Sequence, residues 1–229
     1  MSQTFVRTEK KYLLSEQQYE DIAEKLKGYV EPDKFFKGNI RSIYYDTEKF
    51  AMIRRSIEKP KFKEKLRIRS YGDASADDRV FVEFKRKLDG IVYKRRTKAR
   101  HEELLKDIKT AQFKDEQIGN EIRYAIDQYQ GIKPAVYIGC ERYSYRAKDD
   151  DSIRITFDKN IVYRMKHLSL NDDPMDKSVT DKIVMEIKVA EAMPLWLIEI
   201  LNEVKVYPRG FSKVGSAFEK EIKEIRNHE

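Results

Sequence analysis

The sequence predicts an α+β fold: an antiparallel β-barrel of about eight strands with helices packed outside. Three observations predict it. Strand-like runs in which charged residues alternate with apolar ones recur at least five times, most clearly at Glu9–Leu14, Lys65–Tyr71 and Val82–Lys87. A strand has a side-chain period of 2, so Lys65, Arg67 and Arg69 share one face while Leu66 and Ile68 take the other. Phe81, Glu83, Lys85 and Lys87 share a face in the same way. The same parity then returns on separate strands: Arg7, Glu9 and Lys11; Arg142, Ser144 and Arg146; Arg154, Thr156 and Asp158; Glu186 and Lys188. One such strand is most simply a solvated edge. Several in one chain are better explained by a closed barrel whose charges point into a shared lumen. A structure with Arg67, Arg69, Lys85 and Arg154 all facing bulk solvent would contradict this.

The elements follow in order. Residues 5–14 read as a strand. Ser15 caps a helix to about Lys27, with Tyr19, Ile22, Ala23 and Leu26 on one face and Gly28 just past the end. Residues 39–46 read as a strand, 47–56 as a short helix opened by Thr47, and 61–71 as a strand. Strands at 79–88 and 91–98 flank Asp89-Gly90, a two-residue type I′ hairpin signal. Residues 100–130 are long, polar and helix-forming, and Gly131 ends them. Strands follow at about 134–147, 152–158, 160–166 and 182–189, with Asp149-Asp150-Asp151 turning between the first two and 167–181 as a loop. Pro194 begins a helix, and a last helix runs from about Lys213 to Arg226. Repeats and low-complexity linkers are lacking, so 1–229 is expected to form a single domain.

Composition bounds the function. The 229 residues are 38% charged and carry a net charge of +7, which points to an anionic partner or to a solvated basic surface. A single cysteine, Cys140, cannot form an internal disulfide, and a reducing cytosol fits best. Its apolar run, Val136–Cys140, reads as core. Three histidines with one cysteine exclude a structural zinc site. Met1–Arg7 lacks the apolar stretch of a signal peptide, and no run has the length of a membrane span. The expectation is a cytoplasmic protein, with room left for a membrane-protein partner.

A lumen lined by Arg and Lys would bind polyphosphate, Arg at two points and Lys as a point charge. Inward carboxylates among such cations either pair with the bases or hold Mg²⁺ or Mn²⁺. Phosphoryl transfer needs mostly positioning and charge neutralisation, which these residue types supply. The phosphate-binding glycine loop of P-loop NTPases and the kinase signature set are missing.

Several motifs in order resemble a known family. They are Arg7-x-Glu9-x-Lys11-Tyr12, Ser42-Ile43-Tyr44-Tyr45-Asp46, Leu66-Arg67-Ile68-Arg69-x-Tyr71-Gly72, Val82-Glu83-Phe84-Lys85, Glu141-Arg142-x-x-Tyr145, Ile153-Arg154-Ile155-Thr156-x-Asp158, Met185-Glu186-Ile187-Lys188 and Phe211-Ser212-Lys213. Together they resemble the VTC domain, the polyphosphate polymerase domain of the vacuolar transporter chaperone family, in its stand-alone bacterial form. That domain belongs to the triphosphate tunnel metalloenzyme, or CYTH-like, group. The resemblance covers nearly the whole chain.

The resemblance implies an antiparallel tunnel whose basic lumen binds a nucleoside triphosphate, with ATP as the expected donor. The γ-phosphoryl group would pass to a growing inorganic polyphosphate chain with Mn²⁺ or Mg²⁺ present. It further implies that Lys11, Arg67, Arg69, Lys85, Lys94, Arg142 and Lys213 grip phosphates and that Glu186 holds the metal. Glu9, Glu83, Arg154 and Lys188 would be further cofactor-binding residues, with Glu9 and Glu83 as lumenal partners of the bases. Lys94-Arg95-Arg96 offers three candidates for one position. The basic residue common in the middle of the fourth-strand motif is Phe84 here, a position expected to face out. An SPX regulatory domain and transmembrane segments are not seen in this sequence, so inositol-pyrophosphate control and self-contained export are not expected.

Other readings stay open at this level. The same lumen would serve a triphosphatase that hydrolyses tripolyphosphate or a nucleoside triphosphate. It would also serve a non-catalytic polyphosphate or nucleotide sensor. A nucleic-acid module could use Tyr71, Tyr93, Tyr143 and Tyr145, but these do not cluster in a recognisable signature, and no nucleic acid is expected. Tyr44 and Tyr45 read as core or rim aromatics, Trp196 as a packing residue, and His101, His167 and His228 are assigned no role. Oligomeric state is left open.

Overall fold

The computed structural model describes residues 8–58, 60–89 and 91–227. Arg7, Lys59, Gly90 and His228, and with them part of the first motif and half of the expected hairpin turn, lie outside the described residues.

The elements are β1 (Thr8–Leu14), α1 (Glu16–Leu26), β2 (Val30–Asp46), α2 (Ala51–Ile57), β3 (Phe62–Tyr71), β4 (Arg79–Leu88), β5 (Ile91–Arg100), α3 (His101–Lys106), α4 (Glu116–Asp127), β6 (Lys133–Ala147), β7 (Arg154–Arg164), β8 (Lys177–Ser178), β9 (Ile183–Val189), α5 (Leu195–Glu203) and α6 (Lys213–Asn227). Among the described residues the sheet has nine strands, with hydrogen-bonded order β1-β9-β7-β6-β2-β3-β4-β5 and β8 added on β7. The pairs β1–β9, β7–β9, β2–β3, β3–β4 and β4–β5 are antiparallel. The fold class is therefore the expected one: α+β, an antiparallel sheet with helices packed on it. Its path of hydrogen bonds is open, because no pairing joins β1 to β5 among the described residues.

The chain divides into two compact units. Unit 1 comprises Met1–Asn39, Cys140–Ile161 and Thr180–Ser212; unit 2 comprises Ile40–Gly139, Val162–Val179 and Lys213–Glu229. Each has its own apolar cluster. In unit 1, Leu14, Ile22, Ile155, Phe157, Met185 and Leu197 pack together. In unit 2, Ile43, Leu66, Ile68, Val82, Phe84 and Ile122 do so. These are the alternate residues of the strands, so the period-2 pattern separates core from polar face as expected. Phe84 turns away from Glu83, and it is 2% exposed in the core rather than facing solvent.

Local chemistry sets the boundaries. Ser15 and Gln18 form a reciprocal capping box at α1: Ser15 Oγ accepts from the Gln18 amide and Gln18 Oε1 accepts from the Ser15 amide, each at 3.1 Å. Such a cap contributes about 1 kcal/mol. The expected helix at 47–56 starts later, at Ala51, after Phe50 in the left-handed region at φ 55°. The fully buried Asp46 explains the turn, since its carboxylate accepts from the amides of Thr47, Met52 and Ile53 at 2.7, 2.9 and 2.8 Å. The strand expected at 39–46 begins at Val30. Pro32 and Gly38 masked the signal, and a proline near a strand start loses little in the ladder.

Residues 100–130 form two helices rather than one polar stretch, and Asp115 caps the second through the Ile118 amide. The two strands expected at 152–158 and 160–166 are one, β7, with Asn160 in the left-handed region at φ 49° where a break was expected. The loop read at 167–181 contains the two residues of β8. Arg164, 5% exposed, organises that stretch: it donates to the carbonyls of His167, Ser169 and Asn171 at 3.1, 2.7 and 2.8 Å and pairs with Asp176 at 2.7 Å.

Candidate functional site

In unit 2 the register builds the polar face row by row. Tyr44, Arg67, Glu83 and Arg96 are successive partners across β2, β3, β4 and β5. Directly paired residues project to the same side of a sheet. The neighbouring rows are Lys65, Lys85, Lys94 on one side and Ser42, Arg69, Phe81, Lys98 on the other.

Glu83, 1% exposed, is the hub. Its Oε2 lies 2.7 Å from Arg67 Nη2 and 3.9 Å from Arg69 Nη1, and its Oε1 lies 2.6 Å from Lys94 Nζ and 3.2 Å from Arg96 Nε. One carboxylate thus faces four cations. Burial opposes ionisation of Glu83, but Arg67, Arg69 and Lys94 outweigh it and hold the carboxyl well below the usual range. Lys94 is shifted down, chiefly by burial and against the pull of Glu83.

Tyr44 completes the row. Its hydroxyl accepts from Arg67 Nη1 at 2.9 Å. Burial would raise the phenol, yet Arg67, Lys65 and Arg69 bring it down to about 7. Arg95, the middle member of the three-cation run, turns to the opposite face and pairs with Glu121 at 2.7 Å. Beside these rows is a cavity of about 310 Å³ whose lining includes Arg69, Tyr71, Asp73, Asp78, Arg79 and Phe81.

In unit 1 the register places Glu9, Lys188 and Arg154 in one row and Lys11, Glu186 and Thr156 in the next. Glu186 is 2.6 Å from Lys188 Nζ and 3.7 Å from Lys11 Nζ. Lys11 Nζ also lies 3.5 Å from Glu9 and 3.4 Å from the Phe211 carbonyl. Burial raises the Glu186 carboxyl, but Lys188, Lys11 and Arg142 more than compensate and take it to about 2. Arg142 grips Asp158 at two points, Nε–Oδ1 2.6 Å and Nη2–Oδ2 2.7 Å.

The donors around Glu186 suit a hard cation. Glu186 and Glu9 are carboxylates sharing Lys11, and the buried Thr156 hydroxyl, across from Glu186, has no hydrogen-bond partner among the described residues. Among the described residues no group of three or more His, Cys, Asp or Glu gathers as a ready-made metal site. A Mg²⁺- or Mn²⁺-type ion held by one or two carboxylates would take its remaining ligands from phosphate and water.

The structure thus brings Arg67, Arg69, Glu83 and Lys94 together in unit 2, and Lys11, Glu9, Glu186 and Lys188 together in unit 1. Lys85 lies in the row beside Lys94 and is exposed. Arg154 is 56% exposed and reaches Asp33 at 3.8 Å. Lys213 is half-buried at the first position of α6. Tyr44 joins the unit 2 cluster without an assignment from the sequence, whereas Arg96 is one of the three candidates in Lys94-Arg95-Arg96 and Asp158 belongs to the parity set Arg154, Thr156, Asp158. Arg96 shares the parity of Lys94, and Asp158 that of Arg154, so a signal existed for both. The sequence marks Tyr44 only as a core or rim aromatic. Tyr143 and Tyr145 pack edge-on against Phe36, at 5.8 and 5.1 Å between ring centres.

Among solved structures, that of a candidate adenylate cyclase from Bacillus halodurans aligns with a TM-score of 0.53 at 13% identity, over 89% of this chain and 92% of that one. At that identity the likeness shows a shared fold. The PH1819 protein from Pyrococcus horikoshii OT3 aligns with a TM-score of 0.49 at 16% identity, over 93% and 99% of the two chains. A candidate adenylyl cyclase from Hippeastrum, described as having a dominant triphosphatase activity, aligns with a TM-score of 0.45 at 14% identity, over 90% and 92%. No curated protein matches the chain. The family model of the VTC domain matches residues 6–220, and the chain accordingly belongs to the VTC domain family.

Proposed function

We propose that this protein is a polyphosphate polymerase that transfers the γ-phosphoryl group of a nucleoside triphosphate, with ATP as donor, to an inorganic polyphosphate chain. The observation that supports this best is the excess of cations at Glu83. Four cations converge on one buried carboxylate, and such a concentration of positive charge would attract a polyanion. Membership of the VTC family supports the same reading.

In unit 2, Arg67 and Arg69 would bind phosphate oxygens while Glu83 and Tyr44 hold Arg67 in place. Lys85, Lys94 and Lys213 would add point charges. In unit 1, Lys11 and Arg142 would do the same, with Asp158 fixing the plane of the Arg142 guanidinium and Arg154 and Lys188 adding charge. Phosphoryl transfer is dominated by positioning and electrostatic stabilisation, and groups held before substrate arrives need no reorganisation. Glu186, with Glu9 beside it, would hold Mn²⁺ or Mg²⁺. Such an ion, when bound, neutralises charge on the phosphate oxygens.

The test is incubation of the purified protein with ATP and Mn²⁺, followed by gel separation. A ladder of polyphosphate is the expected result. Release of free phosphate alone would replace the polymerase with a triphosphatase. Tight nucleotide binding with no turnover would make the protein a sensor.

A further inference from the structure

The cavity beside the cation rows of unit 2 has an aromatic wall. Its volume is about 310 Å³, at the small end of ligand pockets. Tyr71 lines it while 56% exposed, and Phe81 stands edge-on to Tyr71 with ring centres 5.8 Å apart. The Arg96 guanidinium lies 3.7 Å from the Phe81 ring centre and donates to the Tyr71 hydroxyl at 3.0 Å. Phe81 is thus committed to Arg96, while Tyr71 is held by its hydroxyl and leaves much of its ring open. An exposed aromatic in a concave site beside cations is a platform for a flat, π-bearing group.

The rest of the wall is the loop between β3 and β4, and it is held in place before any ligand arrives. Arg41, 3% exposed, grips Asp73 at 3.0 Å. The Asp78 carboxylate accepts from the Ser75 amide at 2.7 Å, and its carbonyl accepts from the His101 amide at 2.9 Å. The Ala74 amide donates to Asn171 Oδ1 at 3.2 Å. Asp73 and Asp78 both line the cavity and are exposed. Their charge repels phosphate and favours the N–H groups of a base.

Tyr71, Arg69 and Arg67 share one face of β3 at every second residue. At the rise of a strand, Arg69 and Arg67 follow Tyr71 by about 7 and 13 Å. A nucleoside triphosphate laid along that line puts its phosphates on the arginines and its base on Tyr71, next to the acids.

We propose, on the reading that Arg67 and Arg69 bind the phosphates, that this cavity is the nucleobase subsite of the donor. Tyr71 stacks on the base, and Asp73 and Asp78 confine the phosphates to the side of Arg69 and Arg67.

The experiment is calorimetric titration of the purified full chain with ATP and, separately, with tripolyphosphate, for the wild type, Tyr71→Ala and Tyr71→Phe. Tyr71→Ala should bind ATP about tenfold more weakly, the scale of one lost base stack, and bind tripolyphosphate within about twofold of the wild type. Tyr71→Phe keeps the ring and removes only the hydroxyl that Arg96 reaches, so it should match the wild type for ATP. Circular dichroism checks that each variant is folded. A folded Tyr71→Ala weakened equally toward both ligands would overturn the proposal and make Tyr71 a support for Arg96. Undiminished ATP binding in that variant would overturn it too, as would an equal loss in Tyr71→Phe, which would assign the effect to the hydroxyl. A wild type that binds neither ligand would remove the phosphate reading and the subsite with it. That pattern is distinct from a wild type that binds both while Tyr71→Ala shows no loss specific to ATP, which removes the subsite alone.

Discussion

Arg142 and Asp158 meet at two points, 2.6 and 2.7 Å apart, and Asp158 is 2% exposed. The geometry fixes both the position and the plane of the guanidinium, which a single-point contact would not do. It also raises the Arg142 pKa, because Asp158 outweighs the burial that opposes the charge.

Asp158→Asn should lower stability by about 3 kcal/mol, the scale of breaking a buried pair from one side. Under the proposed function, an anion supplied by the ligand would restore part of the lost pairing. Tripolyphosphate should therefore raise the melting temperature of Asp158→Asn more than that of the wild type. Equal shifts would remove Arg142 from the binding face.

Glu83 should control acid stability in unit 2. Its folded pKa lies below its unfolded value, near 4.3, so the unfolded chain binds the proton more readily. The stabilisation is fully present above the unfolded pKa and is lost as pH falls through the folded one. Denaturant titrations should show Glu83→Gln less stable than wild type by about 3 kcal/mol at neutral pH, with the gap narrowing in acid. A gap that stays constant down to strongly acidic pH would place the carboxylate's contribution elsewhere.

Tyr44 should ionise near neutrality, with its phenol at about 7 against an ordinary 10.0. Between those values the unfolded chain holds the proton and the folded chain does not, so this group makes stability rise with pH across that window and lose the contribution as pH falls through 7. Near-ultraviolet phenolate absorbance should show one tyrosine titrating near pH 7, and Tyr44→Phe should remove that step. A titration identical in the two proteins would show that the cations of β3 do not act on Tyr44.

Gly119 tests the packing of α4. A Cβ there would sit 2.5 Å from Cδ2 and 2.8 Å from Cγ of the Phe113 ring, which is buried. Alanine gains about 1 kcal/mol of helix propensity over glycine, while overpacking costs about 1–3 kcal/mol. Gly119→Ala should be net destabilised in thermal melts. A rise in melting temperature would mean that the ring moves freely.

The strands were legible because alternation is a local property. In β3, Leu66 and Ile68 at 0% exposure separate cleanly from Arg67 and Arg69. The first half of β2 was not legible, because Pro32 and Gly38 read as loop until a neighbouring strand supplies the ladder. Nor was β8, whose two residues are strand only through their pairing with Val162 and Tyr163. Parity gave the polar face but not its convergence. That Arg96 reaches Glu83 while Arg95 reaches Glu121 follows from the β4–β5 register and the packing of α4, both of which are long-range.

Glu186 offers the sharpest test of the chemistry in unit 1. Its carboxylate is held by Lys188 at 2.6 Å and Lys11 at 3.7 Å, and it is ionised down to about pH 2. Pairing alone and metal binding make different demands on it. If Glu186 only separates two lysines, Glu186→Gln should bring Lys11 and Lys188 into unscreened repulsion. Stability would fall by about 1–3 kcal/mol, with Mn²⁺ affinity unchanged. If it is a ligand, the glutamine variant should bind Mn²⁺ much more weakly in a calorimetric titration made in the presence of tripolyphosphate. It should also keep its fold, hold nucleotide through the arginines and stop making polymer. We expect the second pattern. The neighbouring Glu9 and the Thr156 hydroxyl, unpartnered among the described residues, add oxygens of the right kind, and one carboxylate with substrate phosphates is a common way of holding such an ion. Glu186→Gln protein that makes polymer with an unshifted Mn²⁺ requirement would place the metal away from Glu186 and leave that residue a partner of Lys188.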